Sequence, residues 1–285
     1  MRSIKKIVLQ ELPFFMAVPA FIWQMLFFCV PLVIILLMSF TGPTAHGAGL
    51  FLTLDHFRAL CEPVYYLIVL RSLIRALFTA LFCLVISYPV AYFLALYVKK
   101  WKNFFLFLLI VPFWTNMLVL VYAWFFILER FGLVNNLLMM SGVTQEPLQL
   151  LYTPFAVYIG LIYCYLPFML LPLYSILEKL DTRQIEASLD LGATPWQTFM
   201  RVTVPHSLQG IKTGFFLVFV PSFGEFVIPA LLGGGKQLYV GSLISHLFLV
   251  GRNEPVGAAF TCMTGFIILV IALLVYWFIT KIING

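Results

Sequence analysis

The stretch that decides the fold is YLIVLRSLIRALFTALFCLVISYPVAYFLALYV, residues 66–98. Only Arg71 and Arg75 are charged in it, and both lie near its start. A helix of about 20 residues crosses a hydrocarbon core of about 30 Å, so this run is long enough to span a membrane. Its apolar residues are continuous and do not alternate with polar ones, which favours a helix over a strand of a β-barrel.

The whole chain shares this apolar character. Of its 285 residues, 63% are hydrophobic and 10% are charged, whereas a soluble domain has about 45–50% apolar and about 25% charged residues. Similar runs recur at 14–39, 104–128, 152–177, 211–231 and 256–280. We therefore predict an all-α fold: a polytopic integral membrane helical bundle of about six transmembrane helices, forming a single transmembrane domain over residues 1–285.

The basic residues predict the orientation, because cytoplasmic segments of membrane proteins are enriched in Lys and Arg. The first apolar run exceeds the core of about 7–15 residues in a signal peptide, so we expect it to remain as a helix. With the N-terminus inside, the inside segments hold Arg2, Lys5, Lys6, Lys99, Lys100, Lys102, Lys179, Arg183, Arg201, Lys212 and Lys281. The outside loops hold Arg58, Arg130, Lys236 and Arg252. Both termini are thus predicted in the cytoplasm, and the net charge of +6 does not call for a nucleic-acid partner.

Cofactor and catalytic motifs are missing from the sequence. Four cysteines fall inside predicted spans and only Cys61 lies in an outside loop, so we expect no disulfide, and no spacing of ligands indicates a metal site. The segment Gly233-Gly-Gly-Lys236 lacks the Ser or Thr of a phosphate-binding loop. We predict no nucleotide site, no bound cofactor and no catalytic residue in this chain.

The inside loop at about 178–210 is the longest polar segment. Asp181 and Gln184 fit a capping box that starts one helix, and Gly192 fits its left-handed end. Thr194-Pro-Trp-Gln197 fits a second capping box with proline at the first helical position, and Val204-Pro205 is expected to end that second helix. The pattern leaves two readings open: a docking surface for another protein, or a structured loop lying on the membrane.

The residues Glu186-Ala-Ser-Leu-Asp-Leu-Gly192, followed by Val202-Thr-Val-Pro205, resemble the EAA signature of ABC importer permeases. Ser188 replaces the second alanine of that signature. Val111–Asn116, Leu166–Tyr174 and Gly224–Gly234 resemble corresponding segments of the spermidine/putrescine branch, of the PotB/PotH kind. The resemblance covers most of the chain from about residue 66 onward.

The resemblance implies a type I ABC importer permease fold in the inner membrane of a bacterium. It implies as partners a second, PotC/PotI-like permease, an ATPase dimer that binds ATP and Mg, and a periplasmic polyamine-binding protein. In that family the loop carrying the EAA signature sits in a groove of the ATPase. Carried over, the ATPase-coupling residues of this chain are Glu186, Ala187, Asp190 and Gly192.

Glu225 is the one acidic residue well inside a predicted span, and such an acid is a functional candidate by default. Pro221 and Pro229 on either side remove backbone donors, which is expected to leave carbonyls near Leu217 and Glu225 free for a cation. The other reading is that an internal Arg, Arg71 or Arg75, or a tyrosine pairs with Glu225 and locks the fold.

Aromatic residues near the spans give three further candidates for the substrate path. Trp114 and Asn116 follow Pro112, where the third span is expected to be irregular, and Tyr122 lies one to two turns later. A polyamine is a flexible multiple cation, and aromatic faces attract such cations.

Three alternatives to a polyamine permease remain open at the level of sequence. The first is a permease of a related importer, for ferric ion, sulfate, thiamine or an opine, although Glu225 argues against an anion. The second is an ATP-independent channel or secondary transporter, which gives the loop at 178–210 no role. The third is a membrane enzyme, which needs clustered His, Asp or Glu residues that the sequence does not have.

Overall fold

The computed structural model describes residues 18–43, 50–98 and 100–284. The start of the first predicted run and the basic residues Arg2, Lys5, Lys6 and Lys99 lie outside the described residues. The chain forms two compact units. Of the described residues, the first unit contains 18–43 and 50–62 together with His246–Phe266, and the second contains those of Pro63–Ser245 and 267–284.

The helices lie at Val18–Phe40 (α1), Asp55–Ala59 (α2), Pro63–Leu96 (α3), Lys102–Ile110 (α4), Met117–Leu128 (α5), Leu133–Met140 (α6), Pro154–Leu177 (α7), Thr182–Asp190 (α8), Pro195–Thr198 (α9), Val204–Gly224 (α10), Val227–Leu232 (α11), Val240–Ser245 (α12) and Glu254–Asn284 (α13). π-Helical segments occupy Met25–Cys29, Phe199–Thr203 and His246–Val250, and a 3-10 turn occupies Val111–Trp114. In the first unit, two short antiparallel strands, β1 (Thr41–Pro43) and β2 (Leu50–Leu52), follow α1.

The core of the second unit is formed by α3, α7 and α10, which pack against one another. Small residues make this packing close. Ala76, Ala80 and Ala91 of α3 are fully buried, and a Cβ on Gly214 of α10 would lie 2.7 Å from the sulfur of Met169. Membrane helices associate through such small residues because lipid supplies no hydrophobic drive for association.

Five segments of the described residues are long and apolar enough to cross a membrane, which differs from the predicted count of about six. They are Val18–Phe40, Pro63–Leu96, Met117–Met140, Pro154–Leu177 and Glu254–Lys281.

The predicted run at 211–231 is not among these five segments, and its bounds were wrong. The helix begins earlier, at Val204, and carries polar residues such as Ser207 and Lys212, which are buried in the structure. A helix packed against α3 and α7 is shielded from lipid, so it does not need a continuously apolar sequence.

The predicted run at 104–128 is likewise not one continuous helix. Pro112 and the residues after it form a 3-10 turn, and α5 then restarts at Met117 with Asn116 as its N-cap. The segment Met117–Met140 also turns, at Glu129 to Gly132, before α6. The irregularity expected near Pro112 is therefore confirmed, and it is large enough to divide the helix.

The prediction that Val204-Pro205 ends the second helix of the polar loop was wrong. The chain stays helical from Pro195 to Gly224, through the π-helical segment Phe199–Thr203. Proline is tolerated in the first turn of a helix, and Pro205 is the second residue of α10, directly after the π-helical segment. The loop therefore continues directly into a core helix.

Candidate functional site

A helix break at Glu225 lies inside the second unit. Helix α10 ends at Gly224, and Glu225 has extended backbone angles (φ −65°, ψ 128°) before α11 begins at Val227. Pro229 has no N–H, so the carbonyl of Glu225 loses its usual helical donor. The break exposes polar backbone groups that must find other partners within the fold.

Arg75 of α3 supplies those partners. Its Nη2 donates to the carbonyl oxygens of Ser222 at 3.0 Å, Phe223 at 3.4 Å and Glu225 at 3.0 Å. The side chain is 2% exposed, and its guanidinium carbon lies 3.9 Å from the centre of the Tyr239 ring. The carbonyl oxygen of Glu225, predicted to be free for a cation, is therefore already occupied by a cation of the protein itself.

The carboxylate of Glu225 has two separate tasks. Its Oε1 accepts from the backbone N–H of Val227 at 2.8 Å and of Ile228 at 3.4 Å, which caps the start of α11. Its Oε2 accepts from the hydroxyl of Tyr165 at 2.9 Å. The side chain is half-buried. Of the proposed internal partners, a tyrosine binds the carboxylate and Arg75 binds the backbone carbonyl. Arg71 is exposed and makes no hydrogen bond or ion pair with Glu225 within the described residues.

Helix α12 packs against the end of α10, next to the break. The backbone N–H of Val240 donates to the hydroxyl of Ser72 at 2.9 Å. A Cβ on Gly241 would lie only 2.0 Å from the carbonyl oxygen of Gly224, so only glycine permits this approach. Sequence reasoning missed Ser72, Tyr239 and Gly241, and the one available signal was Arg75 itself, a charge in an apolar run.

Trp114, Asn116 and Tyr122 do not join this cluster. Trp114 is 75% exposed and packs edge-on against Phe107. Asn116 is exposed, and its side chain accepts from the N–H of Leu118 at 2.8 Å, which caps α5. Tyr122 is also exposed. Within the described part of the chain, no hydrogen bond or ring contact connects any of the three to Glu225.

The loop that carries the EAA-like residues is built as predicted in most details. Asp181 caps α8 by accepting from the N–H of Arg183 at 3.0 Å. Gly192 ends α8 with φ +85°, a conformation that a residue with a Cβ rarely adopts. Thr194 and Gln197 form a complete capping box. At Asp181 only the N-cap half of the predicted box forms, because no side-chain hydrogen bond from Gln184 closes it.

The turn at Gly192 presents a free face. Glu186, Ala187, Asp190 and Gly192 are all exposed, and Leu191 beside them is 89% exposed. The hydroxyl of Ser188 lies 2.9 Å from that of Thr198 and ties α8 to α9. The turn is therefore internally fixed while its acidic and apolar side chains point outward.

An ion pair supports the polar loop at its base. Lys102, at the start of α4, pairs with Glu178, the residue that follows α7. The hydrogen bond from Lys102 holds the pKa of the Glu178 carboxyl below its usual value, and the same bond raises the pKa of Lys102.

Comparison with known proteins identifies the family. The model of the family described as "Binding-protein-dependent transport system inner membrane component" matches residues 87–284. The chain belongs to this family. The match includes the helix break and the polar loop, so both candidate regions lie in the part that defines the family.

Three relatives are spermidine/putrescine transport system permease proteins named PotB. Those of Salmonella typhimurium (strain SL1344) and Escherichia coli (strain K12) are each 43% identical over 263 residues, covering 92% of this chain and 91% and 95% of the relatives. The PotB protein of Haemophilus influenzae is 37% identical over 267 residues, covering 93% of this chain and 92% of the relative. The resemblance to the PotB-like branch is confirmed.

The fold is shared with a solved ABC transporter. A chain of a bacterial ABC transporter involved in the import of the acidic polysaccharide alginate superposes with a TM-score of 0.75, covering 100% of this chain and 99% of that chain at 19% identity. A second structure, of a bacterial alginate ABC transporter in complex with an alginate-bound periplasmic protein, gives a TM-score of 0.70. The predicted ABC importer permease fold is thereby confirmed.

Proposed function

We propose that this permease is the subunit of an ATP-driven importer that carries polyamines of the spermidine and putrescine class. The observation that carries the proposal is 43% identity to the PotB permeases over 92% of the chain. The half-buried carboxylate of Glu225 supports a cationic cargo. The alginate transporters resemble this chain in fold alone, and their cargo has no bearing on it.

The turn at Gly192 is proposed to couple the permease to a separate ATPase dimer that binds ATP and Mg. Glu186, Ala187, Asp190 and Gly192 are exposed there, on a turn held by its own caps. The chain then runs as helix from Pro195 to Gly224. A displacement of the turn by the ATPase is therefore transmitted along one helical rod to the break at Glu225.

At the break, an ammonium group of the cargo is proposed to bind the Glu225 carboxylate. Within the described residues, Oε2 accepts only from the hydroxyl of Tyr165, a neutral donor that a charged ammonium displaces readily. Oε1 can continue to cap α11 meanwhile. Trp114, Asn116 and Tyr122 are proposed to line the same path at other depths, since all three are exposed and none has a charged partner in the described part of the chain.

The remaining assignments follow from the family and its relatives. A second, PotC/PotI-like permease is proposed to complete the path, and a periplasmic polyamine-binding protein to deliver the cargo. The family is one of inner membrane components, and both termini are proposed to lie in the cytoplasm.

The substitution Glu225→Gln tests the cargo assignment. Glutamine keeps an oxygen for the cap of α11 but loses the charge. Uptake of labelled spermidine into proteoliposomes that contain the partner subunits should fall by about tenfold or more, since a charged hydrogen bond is worth at least about 1.4 kcal/mol. Glu146→Gln, at an exposed acid of the segment between α6 and α7, should leave uptake unchanged. Unchanged uptake in Glu225→Gln would remove Glu225 from the path.

A further inference from the structure

A cavity of about 600 Å³ opens between the end of α5 and the start of α7. This volume falls within the range of about 300–1,000 Å³ that is usual for small-molecule sites. Its lining includes Phe125, Glu129, Arg130, Gln149 and Tyr152. The cavity lies at the end of α7 opposite to Glu178 and the polar loop, which is the outer side in the proposed orientation.

The cavity has a fixed wall. Asn135 of α6 is fully buried, and its Nδ2 donates to the carbonyl oxygens of Glu129 at 3.2 Å and Leu148 at 2.9 Å. Its Oδ1 accepts from the N–H of Leu148 at 3.0 Å. One buried amide therefore joins the two segments of chain that line the cavity, so the space between them is built into the fold.

The lining suits an ammonium group. The carboxylate of Glu129 has no hydrogen bond or ion pair within the described residues, and Glu129 is an exposed residue that lines the cavity. The rings of Phe125 and Tyr152 lie edge to face with centroids 6.1 Å apart. The Tyr152 ring already attracts an ammonium group of the protein, since Nζ of Lys236 lies 5.9 Å from the ring centre. A carboxylate beside aromatic faces is the combination that attracts alkylammonium ions.

One backbone hydrogen bond joins the cavity lining to α11, the helix that follows the break. The N–H of Tyr152 donates to the carbonyl oxygen of Leu232 at 2.8 Å, and Leu232 is the last residue of α11. Glu225 caps the other end of α11. Six helical residues span about 9 Å, so the cavity and the Glu225 carboxylate are separated by little more than the length of one short helix.

Arg130 also lines the cavity and opposes the binding of a cation there. A site on a transport path must hold its cargo weakly enough to release it. A neighbouring positive charge lowers the affinity of Glu129 for an ammonium group without removing the site.

We infer that this cavity is an outer staging site, in which Glu129 and the rings of Phe125 and Tyr152 receive an ammonium group of the cargo before it reaches Glu225, and Arg130 limits its residence. The inference rests on the proposed polyamine function. Glu129 should therefore favour the binding of cargo and the adjacent Arg130 should oppose it. A purely structural role of this segment gives no reason for opposite effects.

Thiol protection tests the inference in the assembled transporter. Gln149→Cys is introduced together with Cys61→Ser, which removes an exposed native thiol, and the thiol at position 149 is labelled with a membrane-impermeant reagent. Spermidine at about twice its dissociation constant should slow the labelling by about threefold, because only the unoccupied fraction of sites reacts. Glu129→Gln should abolish the protection, and Arg130→Gln should give protection at lower spermidine concentrations. The matched control Glu146→Gln should leave it unchanged.

The outcomes separate this inference from the proposed function. Spermidine-stimulated ATP hydrolysis is measured on the same preparations, and its absence in the parent transporter overturns the polyamine assignment itself. If hydrolysis is stimulated but spermidine gives no protection, or if Glu129→Gln and Glu146→Gln behave alike, the staging site is wrong. Protection that Arg130→Gln weakens also contradicts it.

Discussion

Gly192 shows most directly how one residue shapes the coupling turn. Its φ of +85° lies in the left-handed region, and a Cβ there would meet no atom within 4 Å. Any effect of a substitution therefore comes from the backbone and not from a steric clash with neighbours. A side chain in this conformation costs about 1–2 kcal/mol, enough to shift the angle between α8 and α9.

We expect Gly192→Val to uncouple the transporter. ATP hydrolysis should no longer respond to cargo, while the amount of permease in the membrane stays near that of the parent. Gly142→Val is the matched control, because Gly142 also has a positive φ (+73°) and open space around it but lies between α6 and α7. Equal losses of stimulated hydrolysis in the two variants would contradict a special role of the Gly192 turn.

Arg75 is the residue on which the helix break depends. Its Nη2 serves three carbonyl oxygens in a buried site, and removing it leaves buried acceptors without donors. We expect Arg75→Met to lower the free energy of unfolding by about 3 kcal/mol, since loss of a charged donor and exposure of unpaired acceptors add. Arg75→Lys should retain part of this stability, because an ammonium keeps the positive charge but lacks the planar fork of N–H donors.

Thermal unfolding of the purified permease checks the Arg75 prediction. The expected order of midpoints is parent, Arg75→Lys, Arg75→Met. Arg71→Met is the control, because Arg71 lies on the same helix but is exposed. A midpoint for Arg75→Met equal to that of Arg71→Met would show that the guanidinium does not hold the break.

Residue-level features differed in how far the sequence predicted them. Gly192, Thr194 and Gln197 act through local backbone geometry, so their caps and turn were predicted correctly. The partners of Glu225 come from α3 and α7, far away in sequence. Arg75 was one of the two arginines predicted as partners, whereas Tyr165 was predicted only as an unspecified tyrosine. The prolines predicted the freed carbonyl of Glu225, but only the packing of α3 shows that Arg75 occupies it.

At the scale of elements, the prolines did not predict reliably where a helix ends. Pro112 was expected to disturb its helix and does. It lies in the 3-10 turn Val111–Trp114, which separates α4 from α5. Pro205 was expected to end a helix and does not, because a π-helical segment precedes it. A proline removes a hydrogen bond in both cases, and the tertiary packing of the following residues decides whether the helix resumes in the same direction.

The ion pair that joins the start of α4 to the end of α7 gives a pH-dependent prediction. The pKa of Glu178 is lowered in the folded state, so the pair stabilises above the unfolded value of about 4.3 and is lost as the pH falls below it. At neutral pH, Glu178→Gln should lower stability by less than about 1 kcal/mol, because the pair is partly exposed.

Unfolding midpoints from pH 7 down to about pH 3 check the ion-pair prediction. The difference between the parent and Glu178→Gln should stay nearly constant down to about pH 5 and shrink as the pH falls below about 4.3, whereas the exposed acid variant Glu146→Gln should track the parent throughout. A difference that stays constant with pH would mean that the Lys102 contact does not stabilise the fold through charge.

For the whole molecule, composition alone predicted the all-α membrane class correctly, because no soluble fold can cover so apolar a chain. The number of spanning segments was harder. Core helix α10 carries buried polar residues and is not among the five apolar segments. Helix α5 is counted, but within a segment, Met117–Met140, whose bounds differ from the predicted run at 104–128. Hydropathy reports contact with lipid, whereas α10 is placed by its packing against α3 and α7.

Polyamine import by this permease and a partner ATPase can be tested in one reconstituted system. The chain is purified with its neighbouring subunits and reconstituted in lipid, and ATP hydrolysis is followed with and without the periplasmic binding protein loaded with spermidine. We expect an ATPase to co-purify and the loaded binding protein to stimulate hydrolysis several-fold over unloaded protein. A permease that purifies without an ATPase, or hydrolysis that ignores spermidine and putrescine, would contradict it.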